Sequence, residues 1–171
     1  MFLYDYGVCL EYARPNAQLR RIPAGLENSV LVQYLGDITP GMECFNTWKD
    51  VVIPPFVNNP AILNGRGGER IDPDTRHIFA YFRGSIKWKL SKWHTKEMNY
   101  SRGVREIINN TYFNDELFSL HQGSSANYIE EMESSVFCLA PLGYALWNFR
   151  LFESVMLGCI PVIIADNIEL P

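Results

Sequence analysis

The stretch from Val136 to Asp166 limits most tightly what this chain can fold into. Val136-Phe-Cys-Leu-Ala140 is an unbroken apolar run, and Pro141-Leu-Gly143 is a turn signal. Arg150-Leu-Phe-Glu153 opens a helical stretch, and Ile160-Pro-Val-Ile-Ile164 is a second apolar run ending just before Asp166. Two short apolar runs separated by a helix-length segment predict buried parallel strands joined by a helical crossover. Such a unit carries Arg150, Glu153 and Asp166 to the carboxyl ends of the strands, where open α/β sheets bind ligands. A guanidinium beside a helix N-terminus suits a phosphate, and a carboxylate suits a pair of sugar hydroxyls.

The alternation begins at His77. Ile78–Phe82 predicts a strand, and a basic, irregular stretch follows it to about Asn99. Ser101–Asn109 predicts a helix with Ser101 as its N-cap. Glu116–Leu120 predicts a short strand, and Ser125 is placed to cap a helix over Ala126–Ser134 with Tyr128, Ile129 and Met132 on one stripe. Strand 136–140, helix 149–157 and strand 160–164 complete the series. Strands alternating with helices predict an α/β fold with a parallel sheet and right-handed crossovers. Upstream, Ser29–Tyr34 and Asp50–Pro55 are strand-like, and residues 58–76 are crowded with turn formers. The expected division is therefore 1–58, a linker or exposed loop over 59–76, and 77–171.

Bulk properties narrow the class. At 171 residues the chain suffices for one ordinary domain or parts of two. Hydrophobic residues at 47% and charged residues at 20% suit a packed core. A net charge of −4 and a pI near 5.4 lack the basic footprint of a nucleic-acid binder. No apolar run is long enough to span a bilayer. Met1-Phe-Leu-Tyr-Asp-Tyr6 reads as strand rather than signal peptide, as though the chain were joined mid-domain. Cys9, Cys44, Cys138 and Cys159 show no CxxC spacing, and His77, His94 and His121 are scattered, so no metal is assigned. Cys138 and Cys159 lie in apolar runs and are expected to be core thiols rather than a bridge. Cys9 and Cys44 could pair in an oxidising compartment. The triplets Asn99-Tyr-Ser101 and Asn109-Asn-Thr111 permit glycosylation in a luminal protein.

Other signals cluster at the same sheet edge. Phe82-Arg83-Gly84 ends a strand, with a glycine that allows a tight turn and an arginine that could reach a phosphate or stay solvated. Gly143 allows a ligand's close approach or a sharp bend. Arg150 and Glu153 are spaced i,i+3 and could form a surface ion pair, but their position favours a diphosphate for Arg150 and a ribose diol for Glu153. Asp166 either joins them or caps the next turn. Tyr144 and Trp147 could stack on a base or sugar ring, whereas Trp48 and Trp93 are expected to pack in the core or at its rim.

Asp5-Tyr-Gly-Val-Cys9, Val51-Val-Ile-Pro-Pro55, Phe82-Arg-Gly84, Tyr100-Ser-Arg-Gly-Val-Arg105, Phe137-Cys-Leu-Ala-Pro-Leu-Gly143, Arg150-Leu-Phe-Glu-Ser154, Gly158–Asp166 and Leu170-Pro171 occur in one order along the chain. In that order they resemble the exostosin-like glycosyltransferases, glycosyltransferase family 47, and most closely the plant members that build xylan-type wall polysaccharides. The resemblance implies a partial GT-B architecture, in which two Rossmann-like halves face a cleft. Residues 77–171 would be most of the donor half, a parallel sheet with helices on both faces, and 1–58 the tail of the acceptor half. It implies a piece of a longer protein, with a Golgi membrane anchor and luminal orientation in the whole.

The implied reaction is inverting transfer of a sugar, xylose or glucuronic acid favoured, from a uridine diphosphate (UDP)-sugar to a polysaccharide acceptor by direct displacement. Arg83, Gly84, Gly143, Tyr144, Arg150, Glu153 and Asp166 would hold the donor without a metal or other cofactor. Asp5 and Asp37 are candidates for the general base. Related retaining enzymes often carry a second glutamate eight residues before the ribose glutamate; Ala145 stands there in this chain, in keeping with inversion. Association with other glycosyltransferases is a further expectation, and a non-catalytic scaffold of a polysaccharide synthase complex is the alternative reading.

Overall fold

The structure is a computed structural model that describes residues 25–41, 45–57, 59–63, 72–86, 100–143, 146 and 148–171. These form two compact units. The first takes the described residues up to Phe56, with Leu146 and Ala165–Pro171; the second takes the other described residues between Val57 and Ile164.

The first unit contains four two-residue strands. β1 (Val32–Gln33) pairs in parallel with β3 (Val51–Val52), and β2 (Gly36–Asp37) pairs antiparallel with β8 (Ile168–Glu169). The longer runs expected over Ser29–Tyr34 and Asp50–Pro55 thus shrink to two residues each. Buried Asp50 helps to end the ladder: its carboxylate accepts from the Leu31 and Asn46 amides at 3.0 and 2.9 Å and from Lys49 Nζ at 2.6 Å. Burial pushes the Asp50 pKa up, but these donors outweigh it and hold it below the usual range. Residues 165–171, included in the expected 77–171 division, belong to the first unit, where β8 bonds to β2. Trp48 corrects another expectation: at 95% exposure it packs in no core.

The second unit is the predicted α/β layer structure. β4 (Ile78–Gly84), β5 (Phe118–Gln122), β6 (Ser135–Pro141) and β7 (Ile160–Ile164) form a wholly parallel sheet in the order β5-β4-β6-β7. The helices α2 (Val104–Tyr112), α3 (Tyr128–Glu133) and α4 (Phe149–Met156) supply the crossovers. Alternate residues face opposite sides. Ala80, Phe82, Leu120 and Leu139 form one core with Ile108 of α2. Tyr81, Cys138 and Cys159 form the other with Tyr128 and Met132 of α3 and with Leu157. The chain leaves β4 toward one face and β6 toward the other, so the topological switch point lies between their carboxyl ends.

Several boundaries differ from the sequence reading. Within the stretch read as a linker, Pro60–Leu63 is a helical turn (α1) and Pro73–Thr75 a 3₁₀ turn. The strand expected over Glu116–Leu120 runs from Phe118 to Gln122, because Asp115 closes a turn by accepting from Leu117 N at 3.0 Å. Ser125 accepts from the Asn127 amide, and Asn127 holds the N-cap position of α3. Ser101 is no N-cap: it sits at φ 54° in a 3₁₀ turn over Tyr100–Gly103, and α2 starts after Gly103.

Cys138 and Cys159 are joined in a disulfide, with Cα atoms 5.8 Å apart, and are not free core thiols. Phe137 pairs with Ile160 across β6 and β7, which puts the neighbouring cysteines side by side on one face. That register is invisible to residue-by-residue reading. The loop of 21 residues corresponds to about 3 kcal/mol of stabilisation in the chain-entropy account.

Candidate functional site

At the switch point the carboxyl ends of β4 and β6 expose Gly84-Ser85 and Pro141-Leu-Gly143. One side chain spans the gap. Arg105 of α2 is 6% exposed. It donates to Leu142 O at 2.9 Å, Ser85 O at 3.0 Å, Pro141 O at 3.1 Å and Tyr100 Oη at 2.7 Å. Its Cζ lies 5.2 Å from the centroids of both the Phe82 and Tyr100 rings. The turn before α2 aims it there. Ser101 N donates to Gly143 O at 3.1 Å, tying the turn to the β6 exit, and Ser101 Oγ accepts from Arg105 N at 3.3 Å. Left-handed backbone at Ser101 and Arg102 is an unfavourable geometry held by these bonds.

Arg150 approaches from the other face. α4 opens at Asn148, whose Oδ1 accepts from Leu151 N at 3.3 Å while its Nδ2 donates to Pro141 O at 3.2 Å. This is ordinary N-cap chemistry, and it anchors the helix start to the β6 exit. Arg150, in the first turn, stacks with Cζ 4.7 Å from the Phe82 centroid and donates from Nη2 to the Arg83 carbonyl. Its Nε is buried, with no hydrogen-bond partner among the described residues. A β-carbon at Gly84 would lie 2.8 Å from Arg150 Nη2, and one at Gly143 would lie 2.8 Å from Arg105 Nη2. Both glycines therefore leave room for the arginine side chains packed against them.

Arg105 and Arg150 flank one ring, and among the described residues neither is bonded to a carboxylate. Burial, and then the nearby charge of Arg150, lower the Arg105 pKa, while Tyr100 opposes them. Two cations side by side, without a carboxylate partner among the described residues, are an arrangement suited to an anion.

Arg83 goes elsewhere. It forks onto Glu131 of α3, with Nε to Oε2 at 2.6 Å and Nη2 to Oε1 at 2.8 Å, and the buried Tyr81 hydroxyl donates to the same Oε2. Burial tends to raise the Glu131 pKa, but Arg83 and Tyr81 lower it by more. The Arg83 side chain is thus neutralised, and it is the Arg83 carbonyl that meets Arg150. Glu153, one turn after Arg150, is half-buried and accepts from Tyr128 Oη at 2.7 Å. It forms no ion pair with Arg150. The Tyr128 hydroxyl feels both: burial raises its pKa most, Arg150 lowers it and Glu153 raises it.

Asp166 is exposed in the first unit, where Asp37 is buried and accepts from Thr39 N at 2.9 Å. Asp5, Tyr144 and Trp147, along with Trp93, Ala145, Cys9 and Cys44, lie outside the described residues. Sequence reading did not assign Arg105, Tyr128 or Glu131 to the site. Arg105 reads as one more helical arginine, although it ends Tyr100-Ser-Arg-Gly-Val-Arg105, a quoted segment with an otherwise unexplained glycine.

Known proteins resemble this chain. Residues 26–171 match the Exostosin GT47 domain. A probable glucuronoxylan glucuronosyltransferase of Arabidopsis thaliana is 38% identical over 98% of this chain and 36% of its own length. A probable glucuronosyltransferase of Oryza sativa subsp. japonica is 39% identical over 98% of this chain and 38% of its own. A probable beta-1,4-xylosyltransferase of Arabidopsis thaliana is 36% identical over 98% and 39%. The chain therefore spans well under half the length of these curated relatives. With a match that runs through both the strained turn before Arg105 and the Arg150–Glu153 helix, the chain belongs to the exostosin GT47 family.

Proposed function

We propose that this chain supplies the donor-binding part of a glycosyltransferase that moves a sugar from a UDP-sugar to a wall-polysaccharide acceptor. The observation that carries the reading is the un-neutralised pair Arg105–Arg150 at the β4–β6 switch point, with Glu153 one turn away. The guanidinium pair takes the diphosphate, and Glu153 accepts from the ribose hydroxyls. Gly84 and Gly143 make room for the two guanidinium groups.

In the reaction an acceptor hydroxyl attacks the anomeric carbon, the bond to the diphosphate breaks, and configuration inverts. Negative charge grows on the leaving diphosphate, and preorganised cations in a partly dry site lower that barrier most effectively. No metal is needed for the leaving group in this scheme. A general base takes the acceptor proton; Asp5 and Asp37 remain its candidates. Xylose and glucuronic acid are the favoured sugars, in keeping with the names of the plant relatives. A buried disulfide fits an oxidising compartment, which suits a Golgi lumen. Other glycosyltransferases of the same pathway are the expected partners.

The test is calorimetric titration of UDP into the intact protein. Arg150→Ala and Glu153→Ala should each weaken binding at least tenfold, as loss of a hydrogen bond to a charged group, about 1.5–3 kcal/mol, requires. Unchanged affinity in both variants refutes the site. Transfer to xylo-oligosaccharides, with the product's anomeric configuration read by NMR, tests the reaction. Retained UDP binding without transfer to any oligosaccharide points to the scaffold instead.

A further inference from the structure

Glu153 is the ribose acceptor in the reading above, yet it stands one turn from an arginine on the same helix face. A flexible glutamate at that spacing ordinarily swings onto the cation. Here it does not: its Oε2 is held by Tyr128 of α3 at 2.7 Å, and Arg150 is turned to the Arg83 carbonyl. Tyr128 is itself held in place. Its ring lies 6.4 Å from that of Tyr81, which is fully buried and bonded to Glu131.

We propose that Tyr128 is a positioning residue of the donor site, whose hydroxyl fixes Glu153 away from Arg150 so that carboxylate and guanidinium stay separately available to ribose and diphosphate. This rests on the reading of Glu153 as the ribose acceptor. Two consequences follow from the bond. It leaves Oε1 and the remaining lone pairs of Oε2 open to a vicinal diol. It also removes rotamer freedom from Glu153 before the nucleotide arrives, which favours binding by preorganisation. Tyr128 touches no nucleotide in this scheme; its hydroxyl stands beside both Arg150 and Glu153 and acts by keeping the two groups apart.

The experiment compares UDP with 2′-deoxy-UDP on the intact protein by titration calorimetry. The wild type should prefer UDP at least tenfold, and Glu153→Ala should abolish the preference. Tyr128→Phe keeps the ring packing and loses the donor; it should cut the preference to about twofold or less and weaken both nucleotides, since the freed carboxylate then pairs with Arg150. Tyr128→His, which keeps a ring and an N–H donor, should restore part of the preference, something packing alone does not provide. Adding Tyr128→Phe to Glu153→Ala should have no further effect on the ratio. If the wild type discriminates, Glu153→Ala abolishes this and Tyr128→Phe leaves it intact, Tyr128 has no positioning role while the donor site stands. If the wild type does not discriminate, or Glu153→Ala does not change the ratio, the ribose reading fails and this inference with it. Should Tyr128→Phe not fold, the Tyr128→His ratio decides: a value clearly below the wild type's supports the inference, and the full wild-type value overturns it.

Discussion

Two arginine arrangements sit at the same end of the same sheet and have opposite electrostatic outcomes. Arg83 is forked onto Glu131, whose other donor is Tyr81, so charge and hydrogen bonds are settled within the protein. Arg105 and Arg150 both stack on Phe82 and bond to carbonyls and a hydroxyl. The first arrangement is complete; the second has no carboxylate partner among the described residues. A cation neutralised by its own fold adds rigidity, whereas one solvated by carbonyl dipoles keeps its charge for a ligand. Motif position does not separate the two cases, because Phe82-Arg-Gly84 and Arg150-Leu-Phe-Glu153 both look like phosphate sites.

The strongest way to break this contrast is Arg105→Ala. Three carbonyls and the Tyr100 hydroxyl lose a common donor, and at roughly 1–3 kcal/mol for a buried group left unsatisfied the fold should weaken by about 3 kcal/mol. UDP affinity should fall more than tenfold in the same protein. Chemical denaturation and titration calorimetry read the two effects, and normal UDP binding by a folded Arg105→Ala protein would remove Arg105 from the anion site.

Glu131→Ala should act in the complementary way. It strands the Arg83 guanidinium and the buried Tyr81 hydroxyl, and for a pair that keeps some solvent access a loss of about 2 kcal/mol is expected. UDP affinity should move less than threefold, because the Arg83 carbonyl that receives Arg150 is held by the β4 ladder and not by the side chain. The pH dependence has a definite sign. The Glu131 pKa is depressed on folding, so its stabilisation is present above the ordinary glutamate range and is lost as pH falls through the folded value. Urea midpoints from pH 7 down to pH 3 should therefore decline less steeply for Glu131→Gln than for the wild type.

Much of the second unit was legible beforehand. Apolar runs and their spacing placed all four strands, with 160–164 matching to the residue, because a short apolar run bounded by turn formers has the length of a strand and not of a helix. Arg150, Glu153, Gly84 and Gly143 were legible from their places after strands. The fate of Arg83 was not, because Glu131 lies 48 residues away and reaches it only once α3 packs beside β4. Arg105, Tyr128 and the Cys138–Cys159 bridge were hidden for the same reason: each depends on register or on a crossover bringing distant residues together. The first unit was legible least, since its strands are two residues long and periodicity has too little length to act on.

Gly143→Ala sharpens the contrast without removing any charge. The added methyl would come 2.8 Å from Arg105 Nη2, and the buried guanidinium has four bonds that oppose retreat. Forcing a group into a filled site costs about 1–3 kcal/mol. The melting temperature should drop and UDP affinity should fall severalfold. The matching substitution at Gly123, where no atom lies within 4 Å of the added carbon, should leave UDP affinity unchanged and affect the melting temperature only through its backbone angle. Equal losses of UDP affinity at the two positions would mean that close approach at Gly143 is irrelevant to the site.

Arg150→Lys asks the finest question, whether the site needs charge alone or the planar fork. Lysine keeps the positive charge beside Phe82 but gives up the paired N–H geometry that fits both a carbonyl and a phosphate oxygen. It also frees the Arg83 carbonyl, which is satisfied through Arg150 Nη2. If the guanidinium divides its donors between that carbonyl and the diphosphate, UDP binding should weaken by about 1.4 kcal/mol, or tenfold, with folding stability nearly unchanged. Raising the salt concentration should weaken UDP binding to both proteins to a similar extent, because the net charge at the switch point is the same in each. A lysine variant indistinguishable from the wild type in UDP affinity would reduce Arg150 to a point charge and leave the fork geometry to Arg105.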